Sequence, residues 1–268
     1  MKFVILLTAC INPGGMSFTK LIEPNERMSQ YINALKFYLT HTVIPIVFVE
    51  NSKTDISYLF ENEIRCKRLE MFTFQGENNL ERGKGYGEAE IIEYAINNST
   101  IINKDSSVIK ITGRLIVNNI SSLINQLLLG ILPQSSVICV FNSDLTTADS
   151  RIIIAPCNFY KLFLKNKNQI NDSNMIFFEH ILSNAIKKQK KYCYFPFIKE
   201  PEIIGVSGST GTEYTIEEMS FKSKLLYLQY RLQQQIRLTT TEHLRRLHPI
   251  RNLIVYLLYQ ILRIVNTV

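Results

Sequence analysis

The 268-residue chain holds 46% hydrophobic and 20% charged residues, a balance that excludes a disordered chain and suits one large domain, or one domain plus an appendage. Its net charge of +7 sits at the carboxyl end: Met219 to Val268 carry eight basic residues and one acid, which leaves 22 basic and 22 acidic residues in the first 218. A neutral body excludes a nucleic-acid-binding surface on the main domain.

The apolar run from Phe3 to Ile11 predicts a buried parallel-type strand. It is short and leads straight into the turn Asn12-Pro13-Gly14-Gly15, so a strand is expected rather than a secretory leader. Pro24 to Thr40 predicts a helix with Met28, Tyr31, Ile32, Leu35 and Leu39 on one side. Further strands are expected at Pro45–Val49, Arg68–Phe74, Val108–Ile111, Leu115–Val117, Val137–Phe141 and Arg151–Ala155. Helices are expected at Asp55–Asn62, Glu88–Asn97, Ser121–Leu129, Asn158–Lys165 and Asn174–Lys188, the last with Asp172 or Ser173 as its N-cap. Gly83 to Gly87, Asn142 to Asp149 and Gly205 to Gly211 read as loops.

Strands alternating with helices predict an α/β fold: a single Rossmann-like, mostly parallel sheet flanked by helices. Residues 1–215 form this domain, and residues 216–268 form a basic, amphipathic helical tail divided by Pro249. No segment has the ~20 apolar residues of a membrane span. The five cysteines are odd in number and lack CxxC spacing, as expected of free thiols in a reducing cytoplasm, and the scattered histidines suggest no zinc site.

Open parallel sheets bind ligands at the carboxyl ends of their strands. Thr8, Glu50-Asn51-Ser52, Thr112-Gly113-Arg114 and Asn142-Ser143-Asp144 occupy such positions. The segment Lys110-Ile111-Thr112-Gly113-Arg114-Leu115-Ile116-Val117 resembles the central strand–loop–strand of GT-A glycosyltransferases such as the β1,3-galactosyltransferases, where the pattern reads roughly Lys-Thr-Asp-Asp-Asp-Val-Phe-Val. There the carboxylates hold a divalent metal on the donor diphosphate. This chain keeps the lysine and the apolar strand but has Thr-Gly-Arg in place of the acids. A diphosphate leaving group gains charge as the glycosidic bond breaks, and a fixed guanidinium can neutralise it. Arg114, with Lys110, is therefore expected to replace the metal, with no divalent metal and no cofactor required.

Phe177-Phe178-Glu179-His180 resembles the apolar approach to the Glu-Asp-Val of the same enzymes, in which one acid is the catalytic base. The resemblance implies Glu179 as the base of an inverting transfer, with His180 as second choice. Gly83-Lys84-Gly85-Tyr86-Gly87-Glu88 matches neither a Walker loop nor the dinucleotide fingerprint. As a donor-side loop it would offer Lys84, with Tyr86 stacking on a ring; a plain flexible turn is the alternative. Position in the fold assigns Thr8 and Glu50-Asn51-Ser52 to the base and ribose and Arg27 to a phosphate. Asp144, Asp149 and Arg151 are candidates to grip sugar hydroxyls, the alternative being an Asp149–Arg151 pair across a turn.

Leu-Leu-Thr-Ala-Cys-Ile-Asn-Pro at the start, Glu50-Asn51-Ser52, Lys84 to Glu88, and Asn171-Asp172-Ser173 followed by Glu179-His180 make the body similar to glycosyltransferases of bacterial capsule and lipopolysaccharide clusters. That resemblance implies a nucleotide-sugar donor, UDP-linked by preference, and a saccharide or lipid-linked acceptor. The basic amphipathic tail suits an anionic membrane, so the expected location is cytoplasmic, peripheral on the inner face of the plasma membrane. The competing readings are a nucleotidyltransferase and a non-catalytic, membrane-associated sugar-binding scaffold.

Overall fold

A computed structural model describes residues 2–16, 18–77, 82–128, 135–188, 191–216, 218–239 and 257–263. Seven strands form the main sheet: β1 (Lys2–Ala9), β2 (Ile46–Glu50), β3 (Leu69–Thr73), β4 (Ser106–Thr112), β6 (Ser136–Ile138), β7 (Ile152–Pro156) and β8 (Cys193–Phe195). Their order is β3-β2-β1-β4-β7-β6-β8. A second, small sheet joins β5 (Ile116–Val117), β9 (Ile203–Val206) and β10 (Glu213–Tyr214). The helices are α1 (Pro24–His41), α2 (Glu61–Arg65), α3 (Gly83–Asn98), α4 (Ile120–Leu128), α5 (Cys157–Leu164), α6 (Phe178–Lys188) and α7 (Phe221–Thr239).

The sheet is buried on both faces, which is why its strands read as continuous apolar runs. Val4, Leu6, Val49, Val108 and Ile153 face a core completed by α3, α5 and α6 through Ile92, Phe159, Phe163 and Leu182. Ile5, Leu7, Phe48, Ile109 and Ile111 face the opposite core, completed by α1 and α4 through Leu35, Tyr38 and Leu123. The pairs β1–β2, β1–β4, β2–β3 and β6–β8 are parallel. β7 runs antiparallel to both β4 and β6. The connection from β6 to β7 contains no helix, and a parallel pair needs a crossover of a dozen or more residues, usually helical. The loop folds back on itself instead, with Phe141 bridged to Ala148. The amino end of β7 thereby joins the edge where β1, β2 and β4 end.

The expected continuation of β4 through Leu115–Val117 leaves the sheet. The hydroxyl of buried Tyr38 donates to the Leu115 carbonyl and accepts from the Val117 amide, both at 2.8 Å, and β5 pairs with β9 instead. Gly205, expected in a loop, lies in β9, and β8 to β10 were not foreseen.

The glycine-rich stretch is not a loop. It forms the first turns of α3, which starts at Gly83 rather than Glu88. Asp172, expected to cap the following helix, accepts from the Gly85 amide at 3.3 Å, and α6 begins only at Phe178. Gly83 has φ +78°, and a Cβ there would fall 2.3 Å from the Asp172 Oδ2. Gly83→Ala should therefore cost about 1–3 kcal/mol, read as a lower urea midpoint. An unchanged midpoint would mean that Asp172 does not pack on this turn.

The carboxyl-terminal segment is partly integral. Arg231, Leu232, Gln234 and Gln235 of α7 are buried. Pro249, the arginines 245, 246 and 251 and the apolar residues 253–256 lie outside the described residues. No helix among the described residues is long and apolar enough to cross a membrane.

Candidate active site

The strand ends at this edge surround a cavity of about 530 Å3. β1 supplies Thr8 and Ala9, with Cys10 just after it; Asn51 follows β2; Thr112 ends β4 and Arg114 follows it. Asp149, Ser150 and Arg151 precede β7, and Glu179 enters from the first turn of α6. Ser207, Gly208 and Ser209, in the turn between β9 and β10, close one side. Gly113 allows the two central strand ends to approach: its amide donates to the Thr8 carbonyl at 2.9 Å, and a Cβ would stand 2.8 Å from that oxygen.

Two guanidiniums in the wall, those of Arg27 and Arg114, are held by carbonyls rather than by acids. Arg27 is only 6% exposed, yet its hydrogen bonds go to the Cys10 carbonyl (2.6 and 2.8 Å), the Leu21 carbonyl (3.0 Å) and the Tyr31 hydroxyl (3.4 Å). Arg114 bonds to the Val206 carbonyl. Among the described residues neither pairs with a carboxylate. Burial lowers the Arg114 pKa, and the charge of Arg27 lowers it further. Guanidiniums drawn out of water with no carboxylate bonded to them keep an unneutralised charge, and a guanidinium stays protonated under such pressure.

Lys110 does not contribute to that demand. It is fully buried, donates to the Ser150 carbonyl and forms an ion pair with Glu88. The Glu88 carboxylate also accepts from the hydroxyls of Thr8 (3.1 Å) and Thr112 (3.5 Å) and faces the cavity. Thr8 and Thr112 thus line the cavity but spend their hydroxyls on Glu88. Lys110→Met would strand that carboxylate, at a cost of about 3 kcal/mol in urea unfolding. The double variant with Glu88→Gln should recover part of the loss; no recovery would mean that Lys110 matters for packing alone.

Glu179 accepts from the Ser150 hydroxyl at 2.6 Å, and its carbonyl accepts from the Ala148 amide at 3.1 Å. Burial raises its pKa; the Ser150 hydrogen bond opposes this, and the negative charge of Glu88 adds to it. Arg151 Nε donates to both carboxylate oxygens of Asp149 at 2.9–3.0 Å, and the guanidinium lies 4.8 Å from the Tyr214 ring centroid. The pair across the turn exists, and both members line the cavity.

Several expected contacts fall elsewhere. Glu50 is fully buried and accepts from the amides of Ile11, Ser52 and Thr54, each at 2.9 Å. It ties together the loops after β1 and β2, and Ser52 bonds to it rather than to the cavity. Asn51 does reach the wall and leaves its buried Oδ1 without a hydrogen bond. Tyr86 turns into the core beneath Arg82, whose guanidinium lies 3.9 Å from the ring centroid, because its place on α3 faces inward. Lys84 alone of that pair reaches the cavity, bonded to Ser209. His180 accepts from the Phe177 amide at 3.1 Å and stacks on the Phe177 ring, away from the cavity. Asp144 is exposed and caps its own turn through Thr146.

The amino end of α3, a natural anion site, is already occupied by the Asp172 carboxylate, whose pKa burial raises. Where the resemblance implies a divalent metal, the residues do not fit one. Thr112-Gly113-Arg114 offers no carboxylate, and Glu88, which accepts from Thr112, is engaged by Lys110. Among the described residues no cluster of three or more His, Cys, Asp or Glu is placed to hold an ion. Glu88, Ser150, Tyr31 and the hairpin turn 207–209 were not singled out from sequence. Glu88 closes the one motif already recognised there, Lys-Gly-Tyr-Gly-Glu; the other three carry no local signal.

No family model matches the sequence, and no curated protein is similar to it. Solved structures similar to the chain include the mouse xyloside xylosyltransferase 1 apo form, at 9% identity over 73% of this chain and 84% of that one, TM-score 0.40. A cytidylyltransferase from Leptospira borgpetersenii shows 16% identity over 85% and 86%, TM-score 0.41. TarS 1–349 of S. aureus in complex with UDP shows 14% over 93% and 72%, TM-score 0.39. Likenesses this distant decide nothing about the chemistry of this chain.

Proposed function

We propose that the chain is an inverting glycosyltransferase whose donor is a nucleotide sugar, with UDP the favoured nucleotide. The observation that carries this reading is the pair of guanidiniums, buried Arg27 and half-buried Arg114, at the strand ends without a carboxylate partner. Such a pair matches a diphosphate, and Arg27 takes the place first expected for Lys110. The base Glu179 and the pair Asp149–Arg151 share the cavity, beside the sugar and the acceptor.

In the proposed reaction the acceptor hydroxyl oxygen bonds to the anomeric carbon from the face opposite the leaving group. The bond from that carbon to the diphosphate oxygen breaks, and its electron pair stays on the diphosphate. The acceptor proton passes to the Glu179 carboxylate. The two arginines stabilise charge on the departing diphosphate, so a divalent metal is not required.

Residues 1–215 hold this chemistry, and residues 216–268 attach it peripherally to the cytoplasmic face of a bacterial plasma membrane. There the acceptor is a lipid-linked saccharide of capsule or lipopolysaccharide synthesis. Support comes from α7, which exposes Phe221, Leu226 and Tyr230 beside Lys222 and Lys224. Arg231 faces the body instead and is not available to lipid. Phe221→Glu with Leu226→Glu should abolish co-sedimentation with anionic vesicles; unchanged pelleting removes the anchor.

The deciding experiment is a thermal-shift screen over nucleoside mono- and diphosphates and their sugars, with EDTA or manganese. At 100 times its Kd a ligand adds about 2.7 kcal/mol of stability. The expected result is stabilisation by UDP and a UDP-sugar in EDTA, with UDP released on turnover. Release of pyrophosphate identifies a nucleotidyltransferase, and binding without turnover identifies a scaffold.

A further inference from the structure

The buried side of helix α7 is unusually polar: Arg231 at 8% and Gln234 and Gln235 at 1% exposed lie beside Leu232, while Phe221 and Leu226 are exposed. Burying a guanidinium is costly unless its donors are used, and simple docking of a helix would not call for one. Arg231 Nε stays buried without a hydrogen bond, and the donors that are used go mainly to one short segment. Arg231 Nη1 donates to the Phe141 carbonyl at 2.8 Å and to Gln234 Oε1 at 2.9 Å. Gln234 Nε2 donates to the carbonyls of Asn142 (2.8 Å) and Phe141 (3.3 Å). Arg237 Nη1 donates to the Ser143 carbonyl at 3.0 Å. Residues spaced by three share a helix face, so a single face of α7 holds three successive carbonyls, 141 to 143.

The other side of that segment is the cavity wall. Phe141, Asn142, Thr147 and Asp149 line the cavity. The loop is closed by Asn142 N to Thr147 O (3.1 Å) and Asp149 N to Val140 O (2.7 Å), and Ala148 N reaches the Glu179 carbonyl at 3.1 Å. We propose that Arg231, Gln234 and Arg237 are positioning residues that set the 141–149 loop, and through it the places of Asp149, Arg151 and Glu179. That these three belong to a transfer site rests on the function proposed above. The tail is then part of the catalytic apparatus, and whatever binds its outward face is in register with the sugar-side wall. The donor side is built by Arg27, from α1, and Arg114, just after β4, and none of these bonds from α7 reaches it.

The test is hydrogen–deuterium exchange of the full-length chain with UDP titration, on wild type, Arg231→Met, Arg231→Lys and Arg237→Gln. Arg231→Met should speed exchange of amides 142–149 about ten-fold and leave β1 and β4 unchanged, with the UDP Kd unaltered. Arg231→Lys, which keeps a donor, should restore most of the protection. Arg237→Gln changes an exposed residue, so the fold is kept, and should act in the same place at about a third of the size. Unaltered exchange at 142–149, or a rise spread evenly over the sheet, overturns the proposal. Failure of wild type to bind UDP would instead sink the transferase reading while leaving the loop result decisive.

Discussion

Arg114→Met is expected to slow turnover of the nucleotide sugar by about 10²–10³-fold, the usual effect of deleting one fixed donor aimed at developing charge. It should also weaken UDP binding, seen as a smaller thermal shift. The loss follows from placement: the guanidinium has only the Val206 carbonyl and, among the described residues, no acid partner, so its remaining donors are free for phosphate oxygens. Arg114→Lys should recover only part of the rate, because an ammonium keeps the charge but not the two-pronged geometry. Folding should be little disturbed, since Met removes a cation that burial penalises along with one hydrogen bond. A variant with full turnover and an undiminished UDP shift would dispose of the diphosphate site.

Glu179→Gln is expected to lower turnover by about 10²–10⁴-fold while leaving the UDP thermal shift intact, because the amide cannot take the acceptor proton. Two pH dependences follow from the raised carboxyl pKa, which burial causes first of all. The base works when ionised, so wild-type turnover should rise with pH through a midpoint above the ordinary glutamate value of about 4.3. The variant should lack that limb. Stability runs the other way. The folded chain holds this proton more tightly than the unfolded chain does. The contribution is therefore full below the ordinary value and is lost as pH rises through the raised one. Glutamine carries no such loss, so the Tm advantage of the variant should grow from acid to neutral pH. A variant whose activity and Tm track wild type at every pH would remove Glu179 from the mechanism.

Much of the architecture was legible because it depends on local pattern. The continuous apolar runs of β1, β2 and β4 marked strands buried on both faces, and α1 and α6 showed their periodicity. The glycine stretch misled, since Gly83, Gly85 and Gly87 read locally as a turn but serve close packing of α3 against Asp172, Phe178 and Asn51. The antiparallel sense of β7 was illegible because sheet direction depends on the connection and the partner, neither of which is written within the strand.

By itself, the sequence determined the α/β class, the strand-end positions of Thr8, Thr112 and Arg114, and the candidacy of Glu179, since hydrophobic period and turn residues act over a few neighbours. Only the tertiary structure decided which charges remain available. Lys110 is cancelled by Glu88, 22 residues away, while Arg27 and Arg114 keep theirs among carbonyls. It also turned Arg231 inward, onto the carbonyl of Phe141. The physical reason is that an ionic partner is set by distance in space and by burial, both of which exist only once the strands have been brought side by side.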